Sequence, residues 1–213
     1  KYTGKKIDLI WQYTGTFTDT QKGYQAGWQE LEQGATVLYG LAGLTHVGMF
    51  NAVIDWNKQG RGKAFAIGQD ASQEWYAPQY IPLSGSKRVD VAVYTAIKMI
   101  VENKWTPGIV SLGVKEGGVG IWDLDGVKYF AEIAYETGRL KDLTPDQVVK
   151  IVNETRSNYI PSISWELVNK LKTMLEKGEI EFKTPTSEAE YNAIINELLK
   201  GNLNAALAKG SVS

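Results

Sequence analysis

The chain of 213 residues contains no cysteine and only one histidine. The first absence removes disulfides, thiolate metal sites and cysteine nucleophiles together. With a single histidine, most metal sites and nucleophilic triads cannot be assembled. HExxH, GxSxG and a GxGxxG opening a helix are absent too. Charge of one sign is also lacking: the formal net charge is −1, so the chain carries no electrostatic footprint for DNA, RNA or an anionic membrane. No apolar run approaches the roughly 20 residues needed to span a bilayer. What remains is an ordinary globular composition, 43% hydrophobic and 22% charged, long enough for one sizeable domain or two small lobes. The first residue is Lys1, as expected of a processed precursor or of a piece of a longer chain.

The first third alternates short apolar runs with amphipathic segments. IDLIWQY, ATVLYGLA and KAFAIGQD read as strands, and helices follow the first two. Tyr24, Trp28 and Leu31 share one helical face, and Thr18 with Gln21 has capping-box spacing. Val47, Phe50 and Ile54 define the next face. YIPLSGSK and GIVSLGV read as a fourth and a fifth strand, with the helical RVDVAVYTAIKMIVENK between them and the flexible, Gly-rich KEGGVGIW after them. Beyond about residue 125 the chain reads as helical. Thr144, Pro145 and Gln147 open one of these helices, Gly178 closes another, and Ser187 with Glu190 opens the last. EFKTPTSEAE reads as a linker and GSVS as a loose tail. Strands alternating with helices at this spacing predict βαβ units in a parallel sheet. The expected organisation is a βαβ core over residues 1–86, a crossover or hinge over 87–124 and a helical part over 125–213.

In an open parallel sheet, ligands bind outside the carboxyl ends of the strands. That rule selects TGTFTD, GLTH and GQDASQ, and it brings Phe17, Asp19, His46 and Asp70 to one edge, with Gln73 beside them. Lys87, where the fourth strand meets its helix, adds a donor. An aromatic face offers a stacking platform, and a carboxylate accepts from two neighbouring hydroxyls, as in ribose recognition. Each residue also has a plainer reading. Phe17 would staple its own helix, Asp19 would serve the helix dipole, His46 would be a hydrogen-bonded helix start, and Lys87 an ordinary solvated charge. Asp70 is the hardest to explain by packing. Asp19 and Asp70 would also suit the acid–base work of a carbohydrate-active enzyme, but nothing in the sequence fixes their separation. Binding without a metal or cofactor is therefore the expectation.

TGTFTD, YGLAGLTHVGMF, AIGQDASQ, SGSKRVDVAVYTAI and LGVKEGGVGIW occur in the order and spacing of the basic membrane protein family, which the chain resembles from about residue 7 to 124, and more weakly to about 180. That family comprises substrate-binding lipoproteins of ABC importers, including PnrA-type purine nucleoside receptors. The resemblance implies an α/β fold of the type I periplasmic-binding-protein kind, a parallel sheet flanked by helices with a helical C-terminal part. It implies a purine nucleoside ligand, with Phe17 stacking the base and Asp70 and Lys87 holding the ribose hydroxyls. It further implies an ABC permease as partner and an extracytoplasmic location, anchored through a lipidated N-terminus absent from this chain. The sequence departs from the family in two respects. His46 stands where the family is small and Gly-rich, and the family's first lobe has no counterpart here. The expectation is a missing lobe supplied from elsewhere, or a homo-oligomer formed through swapped elements. A ligand-dependent sensor domain acting through protein contacts is the alternative.

Overall fold

The computed structural model describes residues 7–180 and 187–200. Chain contacts form two compact units, Gln12–Leu167 and a second made of Lys1–Trp11 with Val168–Ser213.

The larger unit is built on a four-stranded sheet in the order β1 (Val37–Tyr39), β2 (Phe65–Asp70), β3 (Leu83–Lys87) and β4 (Val119–Ile121). The first three are parallel, with Val37 beside Phe65 and Asp70 beside Ser86, so the carboxyl ends of β2 and β3 finish side by side. β4 runs antiparallel to β3.

Helices α1 (Thr20–Glu32) and α2 (Thr45–Lys58) cross at a seam of glycines. A Cβ on Gly48 would lie 1.7 Å from the Thr20 carbonyl oxygen, and one on Gly23 would lie 1.8 Å from that of Thr45. Only glycine lets two backbones approach this closely. Leu31, Leu38, Phe50, Val53 and Ile81 fill the core between these helices and the sheet. A second core joins α4 (Leu124–Glu136) to α5 (Pro145–Tyr159) through Val127, Ala131, Val148 and Val152. Helix α3 (Val89–Val101) buries none of its residues, and its Val93, Ile97 and Ile100 are all exposed.

The sequence reading needs three corrections. IDLIWQY forms no strand, because Ile7–Tyr13 has no ladder partner among the described residues. GIVSLGV is also irregular. Gly118 N–H bonds back to the Gly113 carbonyl at 2.9 Å, while the Gly118 carbonyl accepts Arg88 N–H at 2.8 Å. This turn delivers the following residues to β3, so the strand lies in the stretch read as a flexible connection. Finally, α1 is capped by Asp19 and not Thr18. Thr18 N–H donates to Thr16 Oγ1 at 3.2 Å, and Asp19 Oδ1 accepts Lys22 N–H at 3.0 Å.

The Thr144–Gln147 capping box forms in both directions. In the second unit, Trp11 meets Tyr191 edge-on at 5.6 Å. Ser187 Oγ accepts Glu190 N–H at 3.2 Å, at the start of α7 (Glu188–Leu199). Helix α6 (Ser162–Glu176) spans the boundary in sequence between the units, and Gly178 beyond it has φ +70°, as a helix-ending glycine should. Most of the expected linker EFKTPTSEAE and the whole GSVS tail lie outside the described residues.

Candidate functional site

The α1–α2 seam fixes the loops that precede both helices. Thr45 N–H donates to the Phe17 carbonyl at 3.3 Å, and Thr45 Oγ1 to the Thr16 carbonyl at 3.1 Å. The Phe17 loop is thereby tied to the start of α2. A Cβ on Gly43, which has φ +54°, would sit 2.9 Å from that same Phe17 oxygen. The Phe17 ring itself is 70% exposed and so is not stapled onto its own helix.

Asp70 ends β2 with φ +75°, a left-handed backbone uncommon outside glycine, although aspartate adopts it more readily than most residues. Its Oδ1 lies 3.0 Å from Lys87 Nζ and accepts Gln69 Nε2 at 3.2 Å. Both members of the ion pair are about half exposed, so the pair adds little to stability and stays accessible to a ligand. The Tyr39 hydroxyl donates to Gln69 Oε1 and thereby steadies the amide beside Asp70. Burial first, and then the Asp70 charge, raise the Tyr39 pKa, which keeps the phenol protonated.

His46 is buried at the start of α2. Gln73 Oε1 accepts Gln69 N–H at 2.9 Å, and that contact turns the Gln73 amide nitrogen to His46 Nε2 at 2.8 Å. An amide NH₂ only donates, so Nε2 must accept and the neutral ring carries its proton on Nδ1. That Nδ1 is buried without a hydrogen-bond partner among the described residues. Burial lowers the His46 pKa, against the opposing pull of Asp70 and the Gln73 hydrogen bond. His46 therefore reaches the Asp70 corner through Gln73 and Gln69.

The structure joins Asp70 directly to Lys87 and Gln69, with Tyr39 linked to them through Gln69 and His46 through Gln73. Asp19 caps α1 through Oδ1, and no hydrogen bond or ion pair joins it to the Asp70–Lys87 pair among the described residues.

Sequence reasoning missed the support beneath this corner. Glu74, fully buried, accepts from Ser72 Oγ at 2.6 Å, Ser84 Oγ at 2.7 Å and Arg156 Nη2 at 3.2 Å. Arg156 also donates to the carbonyls of Pro82 at 2.7 Å and Trp122 at 3.1 Å. The attraction of Glu74 partly offsets the burial that lowers the Arg156 pKa. No local pattern links residues 82 positions apart in the chain. Among the described residues there is no cluster of three His, Cys, Asp or Glu side chains suited to a metal, and no helix long and apolar enough to cross a membrane.

Residues 1–166 match the Bmp family, described as ABC transporter substrate-binding protein PnrA-like. An uncharacterized lipoprotein of Pyrococcus horikoshii is 68% identical over 212 residues, covering all of this chain and 52% of that protein. Basic membrane protein D of Borreliella burgdorferi is 27% identical over 154 residues, covering 71% of this chain and 44% of that protein. A crystal structure of ABC transporter system solute-binding proteins from Aeropyrum pernix K1 superposes with a TM-score of 0.89 at 54% identity, covering 96% of this chain and 55% of that one. The chain thus spans about half the length of the archaeal proteins it matches. With the family match extending over residues 1–166, the chain belongs to the Bmp family of PnrA-like ABC transporter substrate-binding proteins.

Proposed function

We propose that this chain is the ligand-binding part of an extracytoplasmic receptor for an ABC importer and that its ligand is a purine nucleoside. The observation that carries the reading is the Asp70–Lys87 pair, 3.0 Å apart at the carboxyl edge of the parallel strands. A carboxylate with free lone pairs accepts two vicinal hydroxyls, and the ammonium beside it donates to the same sugar. The exposed Phe17 ring, on the loop tied to α2, offers a flat face to the base; such stacking is worth about 1–3 kcal/mol per base in nucleic-acid binders. Asp19 takes no part in this reading, and His46 acts at one remove. Residues 87–124 would form the hinge segment, a permease would be the partner, and a lipid on the N-terminal side would anchor the receptor. The 68% identical relatives from Pyrococcus horikoshii and Pyrococcus furiosus, both named lipoproteins, support that last point.

Calorimetric titration with adenosine, inosine and guanosine tests the reading. Asp70→Ala is expected to lower affinity at least a hundredfold while leaving the circular dichroism spectrum unchanged. Equal affinities for the variant and the parent would remove Asp70 from the site.

A further inference from the structure

We propose that Trp122 is a positioning residue for Asp70, and that its indole N–H sets the geometry with which the Asp70 carboxylate meets the sugar. This rests on the reading of Asp70 given above.

The contact joins residues 52 positions apart: Trp122 Nε1–H donates to the Asp70 main-chain carbonyl at 2.9 Å. That carbonyl belongs to a left-handed residue. A non-glycine residue in this region is strained and persists where its surroundings over-determine it. Asn103, the other non-glycine residue with positive φ among the described ones, lies just past the end of α3, where a left-handed residue is routine. Asp70 instead ends a strand, away from any α-helix end. The indole hydrogen bond fixes the carbonyl side of this residue, and the carboxylate then lies against Lys87.

The indole is in turn held on several sides. Trp122 N–H donates to the Ser84 carbonyl at 3.1 Å, and its own carbonyl accepts from Arg156. Phe130 meets the ring edge-on at 5.1 Å, and the Arg88 guanidinium lies 5.3 Å over its face. A Cβ on Gly126 would stand 2.5 Å from Trp122 Cε3, so the first turn of α4 closes on the ring only because residue 126 has no side chain. A ring held this tightly transmits its position to the residue it bonds. Trp122 thus bonds both to Arg156 of the buried Glu74–Arg156 pair and to Asp70 of the half-exposed Asp70–Lys87 pair.

Trp122→Phe removes the donor and part of the ring's volume while keeping an aromatic face, whereas Gly126→Ala keeps the donor and displaces the ring. Each nucleoside would be titrated alongside its free base, which has no ribose hydroxyls for Asp70 to hold. Both variants are expected to weaken nucleoside binding about tenfold and to leave base binding within twofold. In an Asp70→Ala background, Trp122→Phe is expected to have no further effect. Equal losses for nucleoside and base, or no loss from either variant with the fold retained, would overturn the assignment. If the parent protein bound no nucleoside, the reading of the ligand would fail on its own account. The positioning claim would then be decided by the ¹⁵N spectrum of Trp122→Phe. Displaced amides of Asp70, Ala71, Ser72 and Gln73 would support it, and unmoved ones would refute it.

Discussion

Replacing Arg156 by Met should be among the most damaging single changes available in the larger unit. The guanidinium side chain is 10% exposed and the Glu74 carboxylate is fully buried, so the substitution leaves a buried charge without its counter-ion. Two serine hydroxyls still donate to Glu74 Oε2, but the carbonyls of Pro82 and Trp122 lose their donor. Removing one partner of a buried pair costs about 3–5 kcal/mol. For a chain of this size that corresponds to a fall in melting temperature of roughly 6–20 °C. Glu74→Gln in the same background removes the stranded charge while keeping an oxygen for the serines, and should recover about 2 kcal/mol. Urea unfolding of the parent, the single variant and the double variant gives these differences directly. A loss below about 1 kcal/mol, or a double variant no more stable than Arg156→Met, would refute the reasoning.

His46 and the glycine seam give two further tests. His46 is neutral in the fold with a lowered pKa, so the unfolded chain takes up its proton first as pH falls. Stability should therefore decline as pH drops below about 6.5 and level off beneath the folded value. The difference between the parent and His46→Gln, followed by urea midpoints between about pH 8 and pH 5, should show this decline, and a constant difference would contradict it. Gly48→Ala forces a methyl to within 1.7 Å of the Thr20 carbonyl oxygen. Overpacking of this kind costs about 1–3 kcal/mol or more, whereas Gly60→Ala, with nothing within 4 Å of its Cβ, should cost less even at φ +69°. Comparable melting temperatures for the two variants would count against the close crossing.

The parallel core was legible wherever the signal was local. ATVLYGLA, KAFAIGQD and YIPLSGSK each contain the expected strand, and the Thr144–Gln147 spacing marked the start of α5. The carboxyl-edge rule placed Asp70 at the end of its strand and left Lys87 as a nearby donor; their pairing was implied by the family resemblance, and the register that sets Asp70 beside Ser86 allows it. IDLIWQY and GIVSLGV misled because a strand is a property of two segments, and an apolar run says nothing about whether a partner ladder exists. β4 was hidden for the converse reason. Val119–Ile121 is short, glycine-containing and exposed, and it becomes a strand only because the turn at residues 113–118 lays it beside β3. The α1 cap falls on Asp19, one residue later than the Thr18–Gln21 spacing suggested, because the helix begins at Thr20 and the Asp19 carboxylate takes the Lys22 N–H. Glu74, Trp122 and Arg156 come from distant segments and share no periodicity, so their meeting is a product of the tertiary fold alone.

The glycine seam between α1 and α2 limits how the loops at this edge can change. Because backbone touches backbone there, and Thr45 bonds both Thr16 and Phe17 across it, the two helices and the loops that lead into them behave as one stiff bracket. Neither loop can be re-aimed without carrying the other along. On the proposed reading, a descendant of this protein that came to prefer a different solute would keep the bracket and exchange exposed side chains mounted on it, such as Phe17. Insertions into either loop, usually the easiest way to remodel a binding edge, would here have to break the bracket first.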